Sequence, residues 1–295
     1  MVEIRKKSLF TRLFGATAGE RAFSCVVYFI FLLVTLTMVL PFLYVIVKSF
    51  EGYDVTSGVM VEVYTFSAYK TVLGDLSIVW TFLRTVAVVA VGTAINVFLT
   101  ILTAYPLSKS HLRGKNVIIL FIVFPMLFSA GMVPNYLLID SLGLKDNILV
   151  YILPQLMGSF NIIVAKNFLQ GIPESLEEAA KIDGAGNYRI LFSVFMPLSL
   201  PIIATITLWV AVGKWNDYMT GLMYISDHDL YLIQNHLRDL LVTSRSNETQ
   251  NPGLLNNDEA VIMANIVIVT LPIFIAYPFV QKHFVKGTIL GSVKG

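Results

Sequence analysis

The most specific residue pattern lies in a charged link between two long uncharged stretches. The link reads Gly171-Ile172-Pro173-Glu174-Ser175-Leu176-Glu177-Glu178-Ala179-Ala180-Lys181-Ile182-Asp183-Gly184. Ser175 followed three residues later by Glu178 predicts a capping box, and Gly184 favours the left-handed residue after a helix end. The pattern predicts a helix over about Leu176–Asp183, which is too short to be stable alone in water. One face of this helix is therefore predicted to dock on a protein surface, and it carries Leu176, Ala179, Ala180 and Asp183.

The sequence contains no pattern that predicts catalysis. A phosphate-cradling loop needs Gly-Lys followed by Ser or Thr, and neither Gly114-Lys115-Asn116 nor Gly213-Lys214-Trp215 satisfies this. The four histidines are scattered without the spacing of a zinc site. We therefore predict a chain that is not an enzyme and that holds no metal or cofactor of its own.

The composition shows whether the surface of this chain faces water or lipid. Hydrophobic residue types make up 56% of it and charged types only 14%, where a soluble domain carries about 25%. So few charges cannot cover a water-facing surface, so much of the chain must face lipid. The net charge of +2 is too balanced for a nucleic-acid-binding protein.

Six windows without Asp, Glu, Lys or Arg are long enough to cross a bilayer as helices, which takes roughly 20 residues. They are Ala22–Val47, Thr85–Ser108, Asn116–Ile139, Asn147–Ala165, Ile190–Gly213 and Ala260–Gln281. Extended to the flanking residues, they predict spans at about 22–47, 80–108, 116–139, 147–168, 190–223 and 260–283. Most of the eleven prolines lie inside these windows and are expected to bend the helices. The predicted fold is an all-α membrane protein with six transmembrane helices.

The distribution of Lys and Arg predicts the orientation of these spans. The leader at 1–21, the links after the second and fourth spans, and the tail at 286–295 hold most of these residues, whereas the opposite links are acid-rich. Because Lys and Arg concentrate on the cytoplasmic side, both termini are predicted to be cytoplasmic. The short helix then lies in a cytoplasmic link over 169–197, and a large outward loop covers 224–259.

Polar and aromatic residues in or beside the spans are the candidates for a transport pathway. They are Arg84, Asn96, Asn135, Asn161, Trp209, Lys214, Trp215 and Tyr218. Such groups are costly against lipid and should face the bundle or a cavity. Alternatives stay open: Arg84 and Lys214 are expected to snorkel to the interface, the asparagines to join helices, and the aromatic residues to anchor span ends.

The spacing in the link resembles the EAA loop of ABC-importer permeases. Their pattern is EAA, three residues, Gly, nine residues and Ile-x-Leu-Pro. The chain keeps Glu178-Ala179-Ala180, Gly184 and Pro197, with Val194 and Met196 at the two other apolar positions. Six spans, the outward loop and Trp215-Asn216-Asp217-Tyr218 resemble the MalG-like carbohydrate permeases. The C-terminal residues look most like permeases for complex oligosaccharides and polyuronides such as pectin fragments or alginate.

This resemblance implies a function and a set of partners. It implies a permease subunit of the bacterial cytoplasmic (inner) membrane that moves saccharides inward by ATP-driven alternating access. The partners would be a second related permease forming a heterodimer, an extracytoplasmic solute-binding protein, and two ATPase subunits that hold ATP and Mg. Coupling to the ATPases is expected at Ser175, Glu178, Ala179, Ala180, Asp183, Gly184 and Pro197. Contact with the binding protein is expected at Asn235, Arg238, Asn247, Asn251 and Asn256.

Two other functions compete with this one. An ion-coupled secondary carrier would need no ATPase, but the spans lack the Asp and Glu residues of a proton relay. A structural membrane scaffold would not require a capped cytoplasmic helix. The choice of substrate stays open between a neutral oligosaccharide and a polyuronide.

Overall fold

The computed structural model describes the backbone of residues 17–54, 61–250 and 256–291. Side chains are described over the same ranges except at 18, 53, 54, 61, 62, 244–250, 256–258 and 278–291. The chain divides into two units, Met1–Lys70 with Leu254–Val267, and Thr71–Gly253 with Ile268–Gly295. Most of the predicted leader, residues 1–16, lies outside the described residues.

The first unit begins with a long apolar helix, α1 (Ala18–Lys48). Thr17 caps its first turn and forms a reciprocal capping box with Glu20. None of the residues in the most apolar window of α1 is buried, although the helix is hydrophobic all round. Such a surface is unfavourable in water and favourable in lipid, so α1 has the properties of a membrane span.

A short hairpin follows α1. Its strands are β1 (Glu51–Asp54) and β2 (Val61–Tyr64), which pair antiparallel with Glu51 opposite Tyr64. The prediction of an all-α fold was wrong here, because it searched for segments of membrane length and these strands have four residues each. Beside the hairpin, the Phe50 ring packs edge-to-face on Phe66 at 5.2 Å.

The rest of the chain is almost entirely helical. In chain order the α-helices are α2 (Ser67–Gly74), α3 (Leu76–Ser108), α4 (Lys115–Leu127), α5 (Met132–Ser141), α6 (Ser159–Gln170), α7 (Glu174–Ile182), α8 (Asn187–Leu198, with a π-helical segment), α9 (Leu200–Trp215), α10 (Met219–Tyr224), α11 (Ile233–Gln250) and α12 (Asn256–Gly291). Short 3₁₀ helices occupy Ile148–Tyr151, Leu153–Gln155 and His228–Leu230. The predicted outward loop at 224–259 thus contains α11, and α12 extends into the predicted tail.

Three of the predicted spans are not single helices. Helices α4 and α5 meet at 114°, the 3₁₀ segment before α6 meets it at 45°, and α8 meets α9 at 79°. A glycine or a proline lies in or beside each break: Gly131 with a φ of 88° at the first, Gly158 with the preceding Pro154 at the second, and Pro197 and Pro201 on either side of Ser199 at the third. The expectation that prolines bend the helices is confirmed at the second and third of these breaks.

Within the part of the chain that the structure describes, three helical stretches are long and apolar enough to cross a membrane unbroken: Gly19–Lys48, Leu76–Ser108 and Glu259–Tyr277. The number of spans rises to six only if each bent pair counts as one. The chain is therefore a mostly helical membrane protein with several apolar helices.

Helix α3 is the centre of the second unit. Small and polar residues recur along one face of it and are buried: Thr85, Gly92, Asn96, Thr100 and Ala104. Such residues let neighbouring helices approach closely in lipid. Gly92 shows how tight the fit is, because a Cβ placed there would lie 2.9 Å from Cε of Lys214 in α9.

Two apolar cores of the second unit both include α3. One joins Ile101, Ala104 and Tyr105 of α3 to side chains of α6, α8 and α9, among them Leu169, Phe195 and Ile206. The other joins Val88 of α3 to Tyr151, Ile225 and Leu232. Because both cores depend on α3, this helix positions the site described next.

Candidate functional site

Helix α7 lies in the link predicted to hold the docking helix, and its C-terminal end is as expected. Gly184 has a φ of +76° and follows the C-cap Asp183. The Gly184 amide donates to the carbonyl of Lys181 at 3.0 Å, and the Ala185 amide donates to that of Ala180 at 2.9 Å. These two bonds form a Schellman motif, which needs a left-handed residue at the position of Gly184. The predicted left-handed conformation of this glycine is confirmed.

The N-terminal end of α7 differs from the prediction. The helix begins at Glu174 and its N-cap is Pro173, without a side-chain cap hydrogen bond. The predicted Ser175–Glu178 capping box was therefore wrong, because Ser175 already lies inside the first turn. Glu174 and Glu177 instead supply negative charge near the helix N-terminus, where the helix dipole favours it.

Glu177 fixes α7 to the end of α3, and the sequence analysis had not singled it out. Its side chain is 6% exposed and forms ion pairs with Lys109 and with Lys181, the latter at 2.8 Å. Nζ of Lys109 also lies 4.3 Å from the ring centroid of Tyr105 and 3.8 Å from that of Phe195. The lysine is thus held between a carboxylate and two aromatic faces. We call Lys109, Glu177, Lys181, Tyr105 and Phe195 the clamp.

The clamp sets the charge state of Glu177. Burial disfavours the carboxylate, but hydrogen bonds from Lys109 and Lys181 and their positive charges outweigh it, so the pKa of Glu177 lies below its usual range. Glu177 is therefore ionised at neutral pH. A charge this buried is stable only because Lys109 and Lys181 compensate it.

The side of α7 away from the clamp is exposed and partly apolar. Ile182 is 87% exposed and Leu176 is 41% exposed, and Glu178 and Ala179 are exposed as well. Ala180 does not share this surface, because it packs against the core formed by α3, α6, α8 and α9. Leu176, Ala179 and Ile182 can therefore contact another protein while Glu177 and Ala180 hold the helix in place.

Several candidate pathway residues are used inside the fold. Nδ2 of Asn96 donates to the carbonyl of Gln155 at 2.8 Å. This asparagine therefore joins helical segments, which was the alternative to a pathway role. Nζ of Lys214 donates to the carbonyl of Tyr151 at 2.9 Å and is buried, so the expected snorkelling was wrong. Trp215 is buried, its Nε1 donates to the carbonyl of Val269 at 3.1 Å, and it cannot stack on a substrate. Sequence analysis missed these contacts because their partners are distant in the chain.

The other candidate pathway residues do not converge on one site. Asn135 borders a cavity of about 640 Å³ that is lined mainly by apolar residues such as Leu138 and Leu153. Asn161 is half-buried, Nη1 of Arg84 donates to the carbonyl of Tyr231, and Trp209 and Tyr218 are exposed.

The predicted contacts with a binding protein are described only in part. Asn235 is buried, and its Nδ2 donates to the carbonyl of Tyr218 at 2.7 Å. Its prediction as a surface contact was wrong, because the start of α11 packs inward. Arg238 is half-buried. The side chains of Asn247 and Asn256, and all of Asn251, lie outside the described residues.

Comparison with known proteins identifies the family. Residues 13–289 match the model of the binding-protein-dependent transport system inner membrane component. The chain belongs to this family. Two relatives from Bacillus subtilis (strain 168) are each 42% identical to this inner membrane component. The polygalacturonan/rhamnogalacturonan transport system permease protein YtcP matches 94% of this chain and 99% of its own length, and protein LplC matches 87% and 90%.

A solved structure gives the same result for the fold. A crystal structure of a bacterial ABC transporter involved in the import of the acidic polysaccharide alginate contains a chain 32% identical to this one, with a TM-score of 0.81 over 91% of this chain and 99% of that chain. This inner membrane component is a permease subunit of a binding-protein-dependent ABC importer. The alternative of an ion-coupled carrier is not favoured.

Replacing Glu177 by Gln is expected to destabilise the permease. The change keeps the shape of the side chain but leaves the charge of Lys109 uncompensated, which costs about 3 kcal/mol for a buried pair. The midpoint of thermal unfolding in detergent should fall clearly. The matched control Glu178→Gln changes an exposed side chain and should stay within about 0.5 kcal/mol of the wild type.

The pH dependence follows from the lowered pKa of Glu177. A carboxylate whose pKa is lowered in the folded state contributes its full stabilisation above the usual pKa of a glutamate. This stabilisation is lost as the pH falls through the lowered pKa. The stability difference between wild type and Glu177→Gln should therefore be full at neutral pH and shrink in acid. A difference that is independent of pH would contradict the clamp.

Proposed function

We propose that this permease subunit imports complex oligosaccharides or polysaccharides by ATP-driven alternating access. The support comes from relatives and neighbours whose names specify polygalacturonan, rhamnogalacturonan or alginate. All of these are acidic polysaccharides or contain acidic sugars, which makes a polyuronide fragment the first substrate to test and a neutral oligosaccharide the second.

The proposed topology has six spans across the inner membrane of a bacterium, with both termini in the cytoplasm. The three long apolar helices would each cross once, and each bent pair would count as one further span. The excess of Lys and Arg in the leader, the tail and the links after the second and fourth predicted spans supports this orientation. Bent spans fit a permease because broken helices can line a cavity where neighbours satisfy their free backbone groups.

The observation that carries the proposal is the geometry of α7. It is a short helix whose inner side is fixed by Glu177 and Ala180 and whose outer side exposes Leu176, Ala179 and Ile182. An exposed leucine and isoleucine on a charged link are unfavourable in water and favourable in a protein groove. We assign this surface as the coupling helix that docks on the ATPase subunits, with Ser175, Glu178, Asp183 and Gly184 at its ends and edge and with Pro197 at the following bend.

The complex proposed around this chain has three other kinds of component. Two ATPase subunits would hold ATP and Mg and would bind at α7. A second, related permease would complete the transmembrane pathway. An extracytoplasmic binding protein would deliver the saccharide to the outward segment at 224–259, where the half-buried Arg238 and the asparagines at 247, 251 and 256 are the candidate contacts.

Replacement of Gly184 by Val tests the coupling helix. A β-branched residue at a φ of +76° costs about 1–2 kcal/mol, so the Schellman motif should open and α7 should lose its end geometry. Uptake and binding-protein-stimulated ATP hydrolysis should fall about tenfold or more, while the protein still inserts in the membrane. The measurement is ATP turnover of the reconstituted complex.

Gly186→Val is the matched control for this change. Gly186 has ordinary backbone angles, and a Cβ there would meet no heavy atom within 4 Å. Its activity should stay near that of the wild type. Normal stimulated turnover by Gly184→Val would contradict the assignment of α7 as the coupling helix.

Cysteine labelling tests the topology. Cys25 is first replaced by Ser, and single cysteines are then introduced by Ile182→Cys in α7 and by Asp229→Cys in the outward segment, both at exposed positions. A membrane-impermeant maleimide added to intact cells should label only the cysteine at 229, and both should react in opened membranes of cells that lack the ATPase subunits. Labelling of position 182 from outside would contradict the proposed orientation.

A saccharide panel tests the substrate class. Trigalacturonate, an alginate trisaccharide and maltotriose are each loaded on the binding protein, and stimulation of ATP hydrolysis by the complete complex is measured. We expect an acidic trisaccharide to give the largest stimulation. Stimulation by maltotriose alone would move the assignment to neutral oligosaccharides, and no stimulation by any sugar would overturn it.

A further inference from the structure

Helix α3 is a single unbroken rod. It runs for 33 residues, which corresponds to about 50 Å, whereas a hydrocarbon core is about 30 Å thick. Its one proline, Pro106, lies in the last turn. The paired segments around it in the second unit are bent by 45° to 114°. Among the described residues of this unit outside α12, α3 alone has the length and continuity to carry a displacement from one face of the membrane to the other.

The clamp fixes the C-terminal end of α3 to α7. Lys109 is the C-cap of α3, and its Nζ pairs with Glu177 across 68 residues of sequence. The Tyr105 and Phe195 rings pack edge-to-face at 5.1 Å and cover the lysine. Its carbonyl also accepts a hydrogen bond from Nζ of Lys115 at 3.0 Å. If Lys109 left this site, the buried carboxylate of Glu177 would lose its compensating charge, which is costly. We therefore expect α7 and this end of α3 to move together.

Two hydrogen bonds fix the N-terminal third of α3 to the outward segment. Nη1 of Arg84 donates to the carbonyl of Tyr231 at 3.0 Å, and the amide of Ile233 donates to Oγ1 of Thr85 at 2.9 Å. Thr85, Leu232 and Ile233 are buried. The segment held in this way leads directly into α11. The Arg84 side chain therefore has a structural partner, and it connects α3 to the part of the chain proposed to face the binding protein.

We propose that the stretch of α3 from Arg84 to Lys109 is a strut that links the coupling helix α7 to the start of α11, with these two residues as the positioning residues at its ends. This proposal rests on the proposed function, because it assigns the regulation of the same complex. Docking of the loaded binding protein at the outward segment then displaces α3, and the clamp passes the displacement to the ATPase-bound helix. The coupling is reciprocal in binding, so engagement of the ATPases must favour the same displacement of α11.

The two ends of the strut make an unusual prediction for additivity. Arg84 and Lys109 are separated by about 37 Å along the helix, and substitutions that far apart normally have independent effects. If the two contacts act in series on one signal, breaking the second contact adds nothing once the first is broken. The double variant should then be no worse than the more affected single variant.

The experiment uses the complete complex, in which the permease pair, the ATPases and the binding protein are reconstituted in lipid nanodiscs. The readout is the ratio of binding-protein-stimulated to basal ATP hydrolysis, with the panel sugar that stimulates the wild type most. Arg84→Met and Lys109→Met should each lower this ratio about tenfold, and the double variant should match the lower of the two. The conservative variants Arg84→Lys and Lys109→Arg should retain most of it. Where Lys109→Met fails to assemble, Glu177→Gln replaces it at the same contact.

The outcomes separate the strut from the proposed function. A wild-type complex that binds no ATPase or shows no stimulation contradicts the proposed function. A stimulated wild type whose Arg84→Met or Lys109→Met variant keeps its ratio overturns the strut alone. The strut is also overturned if both single variants lower the ratio and the double variant lowers it by the product of the two reductions, because that result shows two independent sites.

Discussion

The ion pair between Lys109 and Glu177 is the interaction on which the arrangement of this permease depends. It joins the end of α3 to a nine-residue helix that could not be stable in water by itself. The carboxylate is buried and the ammonium group lies between two aromatic rings, so the pair has few alternative partners. Because of this pair, the exposed apolar side of α7 is presented in one fixed orientation.

The rest of the second unit converts that local contact into a connected framework. Helix α3 contributes to both apolar cores, and its small residues let α9 approach until Lys214 lies against Gly92. Polar side chains in this framework bind backbone carbonyls of other segments, as Asn96 does with Gln155 and Lys214 with Tyr151. In lipid such bonds remove the cost of exposed polar groups and fix the helices relative to one another.

Breaks in the helices are the other constraint. The three bends occur in or beside segments with glycine or proline, because glycine widens the range of backbone angles and proline removes a helix hydrogen bond. They leave α3 as the straight element of its unit and place bent segments around it. This contrast between one continuous helix and bent neighbours gives α3 its proposed role in transmitting displacement.

The sequence by itself determined the membrane class, the approximate positions of the apolar segments, the short helix in the charged link and the left-handed Gly184. These features depend on local composition and on spacing within one or two helical turns, which a single sequence displays directly. Glu177–Lys181 has i,i+4 spacing and was visible in principle, since that spacing favours an ion pair.

Only the tertiary structure decided which polar residues are structural. Lys109 meets Glu177, Trp215 meets Val269 and Asn235 meets Tyr218 through contacts between segments far apart in sequence. The hydrophobic pattern records how often apolar residues occur but not which helix faces which, so it could not distinguish buried partners from pathway residues. That distinction depends on the packing around α3, where burial makes each polar group bind a specific partner.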